Sequence, residues 1–303
     1  MKILLLGKNG QVGRELCRAL APVGELAALG RAEADLCDLD GLGAVLAARR
    51  PGVIVNAAAY TAVDRAETDR AAAARVNAEA VGVLARHAAA TRALLVHYST
   101  DYVFDGAAAR PYVETDAPNP INVYGATKLA GEQAIRDAGC DALVFRTSWI
   151  HSAHGGNFLK TILHLARSRD CLDVVADQHG APTSAALVAD ITALAIRRRL
   201  DARLPAGTYH LAAGGSTTWH GYAQYIVAGA AARGAALALA PERIRPVATR
   251  DYPAAARRPL NSRLDTTLLS RALDLTLPAW TEHVDRVLDQ LIEPGDSAWR
   301  AKA

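Results

Sequence analysis

Tyr124 and Lys128 are the two side chains of this sequence whose types and spacing best suit proton-transfer chemistry. Their separation of four residues places both on one face of a helix, close enough to act together. A free tyrosine ionises near pH ~10, and a neighbouring ammonium lowers that pKa by stabilising the phenolate. The pair therefore predicts a general acid. Taken alone, the same spacing also suits an ordinary solvent-facing helix, so other elements must support it.

A glycine-rich turn at the start of the chain predicts a dinucleotide site. Segment 1–6 has the length and composition of a buried parallel strand, and Gly7, Gly10 and Gly13 follow it directly. Glycines permit a tight turn and a close backbone approach to a pyrophosphate. The helix predicted over 14–20 aims its N-terminal N–H groups at the same anion.

Short apolar segments alternate with alanine-rich segments through about residue 150. This pattern predicts the α/β class, as a Rossmann-type doubly wound parallel sheet with right-handed crossovers. Ligands of such sheets bind beyond the C-terminal ends of the strands, where the glycine turn, Ala59 and Thr100 all fall. The predicted strands are 2–6, 25–29, 53–56, 94–98 and 142–146, and the predicted helices are 13–21, 40–49, 63–73, 74–90 and 124–137.

The pattern loosens after residue 150 and predicts a smaller C-terminal α/β domain that binds substrate. We expect residues 1–150 to form the nucleotide-binding domain, rejoined by part of 172–200, and residues 151–303 to form mainly the substrate domain. Segment 241–261 is rich in proline and arginine, and we expect an ordered loop over the substrate site. Further helices are predicted at 157–169, 185–200 and 218–234, with strands at 172–175 and 209–212.

Composition excludes several other classes of protein. The 303 residues are 51% apolar, which is ordinary for a globular chain with ample core. The net charge is only +3, so neither a nucleic-acid partner nor a membrane surface is expected. We expect no leader peptide and no membrane span. The four cysteines lack metal-ligand spacing, which indicates free thiols and a cytoplasmic location.

The glycine turn and the Tyr-x-x-x-Lys pair together resemble the short-chain dehydrogenase/reductase superfamily, and the chain length suggests its extended branch. Further segments narrow the resemblance to the dTDP-4-dehydrorhamnose reductase family, and they cover the chain to about residue 291. These segments are HYSTDYVF at 97–104, NVYGATKLAGE at 122–132, RTSW at 146–149, DQHGAPT at 177–183 and RPLNSRL at 258–264.

The resemblance implies reduction of the C4 ketone of dTDP-4-dehydro-β-L-rhamnose to dTDP-β-L-rhamnose, the last step in making that nucleotide sugar. It assigns Tyr124 as the proton donor to the C4 oxygen. It assigns Lys128 to lower the pKa of that tyrosine and to hold the nicotinamide ribose. Thr100 would hold and polarise the carbonyl oxygen, with Ser99 as the alternative hydroxyl.

The resemblance also implies a nicotinamide cofactor. Arg31, rather than a carboxylate, follows the second predicted strand, and an arginine there suits a 2′-phosphate. NADPH is therefore expected, with NADH tolerated. Asp38 is expected near the adenine, although a solvated loop acid fits it equally well. The expected cofactor-binding residues are Gly7, Gly10, Gln11, Val12, Gly13, Arg31, Asp38, Leu39, Ala59, Tyr60, Thr61, Tyr98, Tyr124 and Lys128.

For the nucleotide sugar, the resemblance places Trp149 against the apolar face of the deoxyhexose, and plain core packing is the alternative for this indole. The diphosphate needs cations, and Arg257, Arg258 and Arg263 are the candidates. The expected substrate-binding residues are Thr100, Asp101, Trp149, Asn157 and Arg258.

Oligomeric state and product stereochemistry stay open. Some family members pair through a metal held by helix glutamates, but residues 185–187 are Ala-Ala-Leu, so no metal is expected and a homodimer is one option. Reduction from the other face would give dTDP-6-deoxy-L-talose with the same catalytic residues. A non-catalytic relative, the regulatory β subunit of methionine adenosyltransferase, shares the fold, but the intact catalytic set argues against that role.

Overall fold

The computed structural model describes residues 1–292. The strands in this part of the chain are β1 (Lys2–Leu6), β2 (Glu25–Leu29), β3 (Val53–Asn56), β4 (Leu94–Thr100), β5 (Ala142–Thr147), β6 (Ile150–His151), β7 (Leu172–Val175), β8 (His179–Gly180), β9 (Thr183–Ser184), β10 (Gly207–His210), β11 (Thr217–Thr218) and β12 (Ile244–Val247). The helices are α1 (Gln11–Leu20), α2 (Leu39–Arg49), α3 (Val63–Ala66), α4 (Arg70–Ala74), α5 (Ala80–Thr91), α6 (Val123–Ala138), α7 (Phe158–Ala166), α8 (Ala185–Leu200), α9 (Trp219–Ala232), α10 (Thr267–Leu273) and α11 (Trp280–Leu291).

Six strands form one parallel sheet in the order β10-β5-β4-β3-β1-β2. The chain first moves outward from β1 to β2 and then crosses back to β3, so the strand order reverses beside β1. Leu6 pairs with Leu29 on one side and with Asn56 on the other, which aligns the C-terminal ends of three strands. The predicted doubly wound parallel sheet is confirmed, and its reversal point is where such folds bind ligands.

Helices cover both faces of this sheet because each strand is apolar on both sides. On one face α1, α8 and α10 contribute Leu16, Val188 and Leu269 to a buried cluster. On the other face α2 and α5 contribute Leu46 and Leu84. Burying each such side chain contributes about 1.5–3 kcal/mol, so the two clusters hold the strand ends in fixed positions.

A second lobe packs around its own core. Helices α7, α9 and α11 bury Leu159, Ile226 and Val284 together, and β7 pairs with β12 at its edge. Two further short pairs, β6 with β9 and β8 with β11, connect this lobe to the large sheet region.

The large sheet takes residues from both sides of the boundary expected at 150. β10 pairs with β5, with Tyr209 beside Phe145, and α8 packs against α1. β10 is only four residues long, and its place is set by pairing with a strand more than 60 residues earlier rather than by its own pattern.

The prediction that 241–261 is a loop throughout was wrong. Residues 244–247 form β12, which pairs in parallel with β7. Pro246 and Arg245 hide the strand in the sequence, and an edge position is where a strand tolerates proline. The helix predicted over 63–73 is likewise interrupted, and the helix predicted over 74–90 opens with a π-helical turn at Arg75–Glu79.

Candidate active site

A cleft of about 950 Å³ opens at the C-terminal edge of the large sheet. This volume is at the upper end of the range for small-molecule sites, so the cleft has room for a large ligand. Most of the residues expected at the site from the sequence meet here. They are Gly7, Gly10, Gln11, Val12, Arg31, Ala59, Tyr60, Thr61, Tyr98, Thr100, Asp101, Tyr124, Lys128, Trp149 and Arg258.

The glycine turn between β1 and α1 has the shape needed to receive an anion. Gly7 has a φ of +87°, which disfavours side chains, and a Cβ there would lie 2.7 Å from the Ala58 nitrogen. A Cβ at Gly13 would collide with the Gly7 carbonyl, so glycine lets α1 approach the turn. Gly10 is the N-cap of α1 and has no side chain to cap it, so the first N–H groups of α1 remain available for a phosphate.

Arg31 follows the end of β2, at a corner that also holds two carboxylates not predicted from the sequence, those of Asp35 and Glu33. Its side chain is 78% exposed, and its Nε lies 3.4 Å from Asp35, which also lines the cleft. Glu33 accepts a hydrogen bond from the Gly30 backbone at 2.7 Å and pairs with Lys8. This corner therefore offers a guanidinium for a 2′-phosphate and carboxylate oxygens for a ribose hydroxyl.

Thr100 and Tyr124 both line the cleft, and the Thr100 side chain is close enough to lower the pKa of Tyr124. The Thr100 hydroxyl donates to Asp101 Oδ1 at 2.9 Å and accepts from the Tyr102 backbone N–H at 3.1 Å. Burial raises the pKa of Asp101 to about 7, and the hydrogen bond from Thr100 opposes that rise. The threonine thus lies between a carboxyl group and the tyrosine.

The pKa of Tyr124 departs from the direction predicted from the sequence. Burial raises it to about 12, and the Thr100 side chain opposes that rise. Lys128 is not among the groups that lower this pKa. Its Nζ lies 3.1 Å from Nε2 of His97, a residue of β4. A phenol that keeps its proton is suited to give it to a substrate oxygen.

Ser99, the alternative hydroxyl, forms a hydrogen bond away from Tyr124. It donates to Glu132 Oε1 at 2.5 Å, and Glu132 forms a two-pronged ion pair with Arg146 at 2.9 and 2.7 Å. Both charged side chains are almost fully buried, with exposed fractions of 4% for Arg146 and 0% for Glu132. This network ties α6 to β4 and β5, and it leaves Thr100 as the hydroxyl that faces Tyr124.

Trp149 lines the cleft and is stacked on Trp219, a residue that the sequence argument missed. The two ring centroids are 3.6 Å apart and their planes differ by 9°. Trp149 has a φ of +47°, and its indole packs so tightly on Gly180 that a Cβ there would lie within 2.7 Å of the ring nitrogen. The Trp219 indole N–H donates to Gln178 at 3.2 Å. The pair forms a fixed aromatic wall.

Among the three candidate arginines, Arg258 lines the cleft. Its guanidinium contacts Asp64 at 2.6 Å, and the Ala256 N–H donates to the other oxygen of that carboxylate at 3.0 Å. Arg263 instead binds the Ala109 carbonyl and Asn261, outside the cleft lining. Asp64 therefore anchors the arginine-bearing segment to α3.

Four of the expected site residues are not among those that line the cleft: Gly13, Asp38, Leu39 and Asn157. Asp38 caps α2 by accepting from the Gly41 N–H at 3.0 Å, and Leu39 packs against the core. Asn157 caps α7 and donates to Gln11 Oε1 at 2.8 Å. Asn157 therefore touches a residue that does line the cleft.

Two negative findings hold for residues 1–292. No group of three or more His, Cys, Asp or Glu side chains in that range could hold a metal ion. Within the same range, no helix combines the length and the apolar character needed to cross a bilayer.

The fold and this site together define a Rossmann-type oxidoreductase, with a glycine turn for a dinucleotide and a Thr–Tyr–Lys set at the strand ends. Comparison with known proteins gives the family. The model of the RmlD substrate binding domain matches residues 1–293. A dTDP-4-dehydrorhamnose reductase from Salmonella typhimurium is 50% identical over 96% of this chain and 98% of its own length. One from Burkholderia thailandensis is 50% identical over 92% of this chain and 95% of its own length.

Solved structures agree with this result. A dTDP-4-dehydrorhamnose reductase from Bacillus anthracis, in complex with NADP, is 33% identical with a TM-score of 0.85, over 95% of this chain and 99% of the other. The chain belongs to the dTDP-4-dehydrorhamnose reductase family, as the resemblance predicted.

Proposed function

We propose that this protein reduces the C4 ketone of dTDP-4-dehydro-β-L-rhamnose to dTDP-β-L-rhamnose, with NADPH as the preferred donor and NADH accepted. The observation that carries the proposal is the meeting of Thr100, Tyr124 and Lys128 in one cleft with the glycine turn. The relatives that share about half of its sequence are named for this reaction. The Bacillus anthracis relative was solved with NADP.

The residues present fit a phosphorylated dinucleotide. The uncapped N–H groups at the start of α1 would hold the pyrophosphate, and Arg31 would hold a 2′-phosphate at the end of β2. The carboxylate of Asp35 beside Arg31 offers an acceptor for a ribose hydroxyl, which is consistent with tolerance of NADH. When bound, NADPH supplies the hydride that adds to C4.

The protein supplies the proton and the polarisation. Rotation of the Thr100 hydroxyl turns its hydrogen from Asp101 toward the ketone oxygen, which stabilises the negative charge that develops there. Tyr124 gives its proton to that oxygen and completes the alcohol. The raised pKa of Tyr124 keeps the phenol protonated before the reaction.

The substrate is held at two other points. The Trp149–Trp219 wall offers an apolar surface to the methyl and axial C–H groups of a deoxyhexose. Arg258 offers a guanidinium to the diphosphate, with Asp64 holding the arginine in place. We further propose that the enzyme works in the cytoplasm, where nucleotide sugars are made, and that a homodimer, if it forms, needs no bridging metal.

The test is oxidation of NADPH by the purified protein with dTDP-4-dehydro-L-rhamnose, followed by proton NMR of the product. The coupling of the C4 proton reports its configuration. We expect NADPH consumption and the rhamno configuration. A talo product would replace the proposed product with dTDP-6-deoxy-L-talose, and no consumption with bound cofactor would overturn the reductase assignment.

A further inference from the structure

The amino group expected to act on Tyr124 instead contacts a histidine inside the protein. Lys128 Nζ lies 3.1 Å from His97 Nε2, and both residues are 1% exposed. His97 occupies the middle of β4, three residues before Thr100, in a strand that is buried along its whole length. The function proposed above gives this histidine no role, and it sits directly behind the reacting groups.

The other ring nitrogen of His97 faces Asn56, and a backbone amide fixes which way that side chain points. The Ala58 N–H donates to Asn56 Oδ1 at 3.2 Å. A backbone N–H can only donate, so the oxygen of the Asn56 amide must face Ala58. Its Nδ2 then faces His97 Nδ1 at 3.3 Å.

These contacts determine the tautomer of His97. Asn56 Nδ2 is a donor, so His97 Nδ1 must accept and cannot carry the ring proton. In a neutral imidazole that proton then sits on Nε2, which points at Lys128. An ammonium has three donors and no acceptor, so it cannot accept this hydrogen, whereas a neutral amine has a lone pair that can.

We propose that His97 is a positioning residue of the active site: held as its Nε2–H tautomer by Asn56, it donates to Lys128 and favours the neutral amine over the ammonium in the ligand-free protein. The surrounding charges agree. Burial lowers the pKa of Lys128 to about 8, and Glu132 on the same helix opposes that fall. Glu132 is itself neutralised by Arg146 from β5 and bonded by Ser99 from β4.

The other groups around the Lys128–His97 pair do not reverse the preference for the neutral amine. Burial also lowers the pKa of His97 well below its usual range, so the imidazole is neutral near pH ~7. Tyr124, one turn earlier on α6, is protonated and uncharged. The charge of Asp101 raises the pKa of Tyr124, and Asp101 is not among the groups that shift the pKa of Lys128.

This arrangement gives the lysine two positions. As a neutral amine it rests on His97. Once Nζ takes a proton, two donors face each other, and the ammonium is repelled from His97 toward the cleft that it shares with Tyr124. This consequence for catalysis rests on the proposed reductase function, but the tautomer itself does not.

The primary test is nitrogen NMR of the histidine rings in ¹⁵N-labelled protein without cofactor or substrate, at about pH 9, where a lysine whose pKa is about 8 is mainly the neutral amine. The unprotonated ring nitrogen resonates far downfield of the protonated one, and the His97→Gln variant identifies the His97 signals. We expect the proton on Nε2. A proton on Nδ1 would overturn the proposal. Because no ligand is present, this result is independent of whether the protein reduces the sugar.

The second test reverses the hydrogen bonds with Asn56→Asp. A carboxylate accepts hydrogen bonds at both oxygens. It can therefore still accept one from the Ala58 N–H while it accepts another from an N–H at His97 Nδ1. We expect the ring proton to move to Nδ1 and the titration midpoint of Lys128, followed by NMR of its side chain, to rise by roughly one unit or more. An unchanged tautomer in this variant would contradict the assigned contacts.

Asn122→Asp is the matched control. Asn122 is also buried and caps the helix that carries Lys128, but it bonds to Gly125 and Arg257 rather than to His97. An aspartate is a good N-cap, so the variant should fold. We expect its His97 tautomer to stay on Nε2. A switch to Nδ1 in this control as well would show that any nearby carboxylate suffices, and it would remove Asn56 from its assigned role.

Discussion

The Trp149 indole lies flat against that of Trp219, with 3.6 Å between ring centroids and 9° between planes. Trp149 follows β5 and Trp219 begins α9, so the stack joins the large sheet to the second lobe at the mouth of the cleft. Because Trp219 is also held by Gln178, the orientation of Trp149 depends on a residue that is remote in the sequence.

We expect Trp149→Ala to lower kcat as well as raise KM, because loss of the wall loosens the orientation of the sugar at C4. A misplacement of about 1 Å can cost roughly a hundredfold in rate. Trp219→Ala should show a smaller effect of the same kind, since Trp149 remains but loses its support. Steady-state kinetics of both variants test this. If Trp149→Ala kept the kinetics of the wild type, the indole would have only a packing role.

Tyr124→Phe should lose about 10²–10⁴ in turnover while cofactor affinity stays nearly intact, because only the transferable proton is removed. Tyr102→Phe is a useful contrast. Its ring contacts that of Tyr124 edge-on at 6.0 Å, yet it has no proposed part in proton transfer. Turnover and cofactor titration measure the two effects. A Tyr124→Phe enzyme that kept more than half of the wild-type rate would remove Tyr124 from its role.

Arg258→Ala should act mainly through KM for the nucleotide sugar, raising it roughly tenfold, because a charge-assisted bond to the diphosphate is lost. Arg263→Ala provides the control, since that side chain binds Ala109 and Asn261 away from the cleft. The kinetics should be repeated at two salt concentrations, where screening should reduce the difference. Equal KM values for the two variants would argue against a diphosphate contact at Arg258.

We expect the wild type to prefer NADPH over NADH in kcat/KM, and Arg31→Ala to reduce that preference roughly tenfold or more. Asp35→Ala should act in the opposite direction, because it frees Arg31 from its nearby carboxylate. The comparison requires kcat/KM with each cofactor for three proteins. Equal efficiency of the wild type with both cofactors would refute the role of Arg31.

Asp101 should make stability fall as the pH rises. Burial raises its pKa from 3.8 to about 7. Between those values the folded protein keeps the proton and the unfolded chain does not, so the contribution to stability is full below about pH 4 and is lost through about pH 7. From about pH 5 to about pH 8 the stability of Asp101→Asn should therefore rise relative to that of the wild type, by on the order of 3 kcal/mol.

Thermal unfolding at about pH 5 and about pH 8 measures this effect as a change in the difference between variant and wild type. Asp105→Asn is the control, because hydrogen bonds such as that from the Ala107 N–H lower the pKa of Asp105 and keep it ionised throughout this range. Its difference from the wild type should be the same at both pH values. A constant difference for Asp101→Asn as well would show that Asp101 ionises normally.

The sequence by itself determined the large sheet and the motifs that meet at its edge. Buried strands such as Lys2–Leu6 and Val53–Asn56 need no tertiary context to be recognised, because each is a short apolar segment bounded by glycine or polar residues. The glycine turn and Tyr124–Lys128 are likewise local patterns, because a tight turn and a helical repeat are fixed by neighbours in the chain. Strand ends of a parallel sheet meet at one edge, so the convergence of these motifs followed from topology.

Tertiary structure decided which partners those residues have. Lys128 faces His97, 31 residues earlier, and Trp149 stacks on Trp219, 70 residues later, and neither contact has a periodic signature in the sequence. β10 likewise joins the large sheet by pairing with β5, and β12 forms by pairing with β7. The direction of the Tyr124 pKa also depended on the fold, because burial and the identity of the nearest groups set it. Local sequence determines what a side chain can do, whereas long-range packing determines the hydrogen bonds and the solvent exposure that decide its charge.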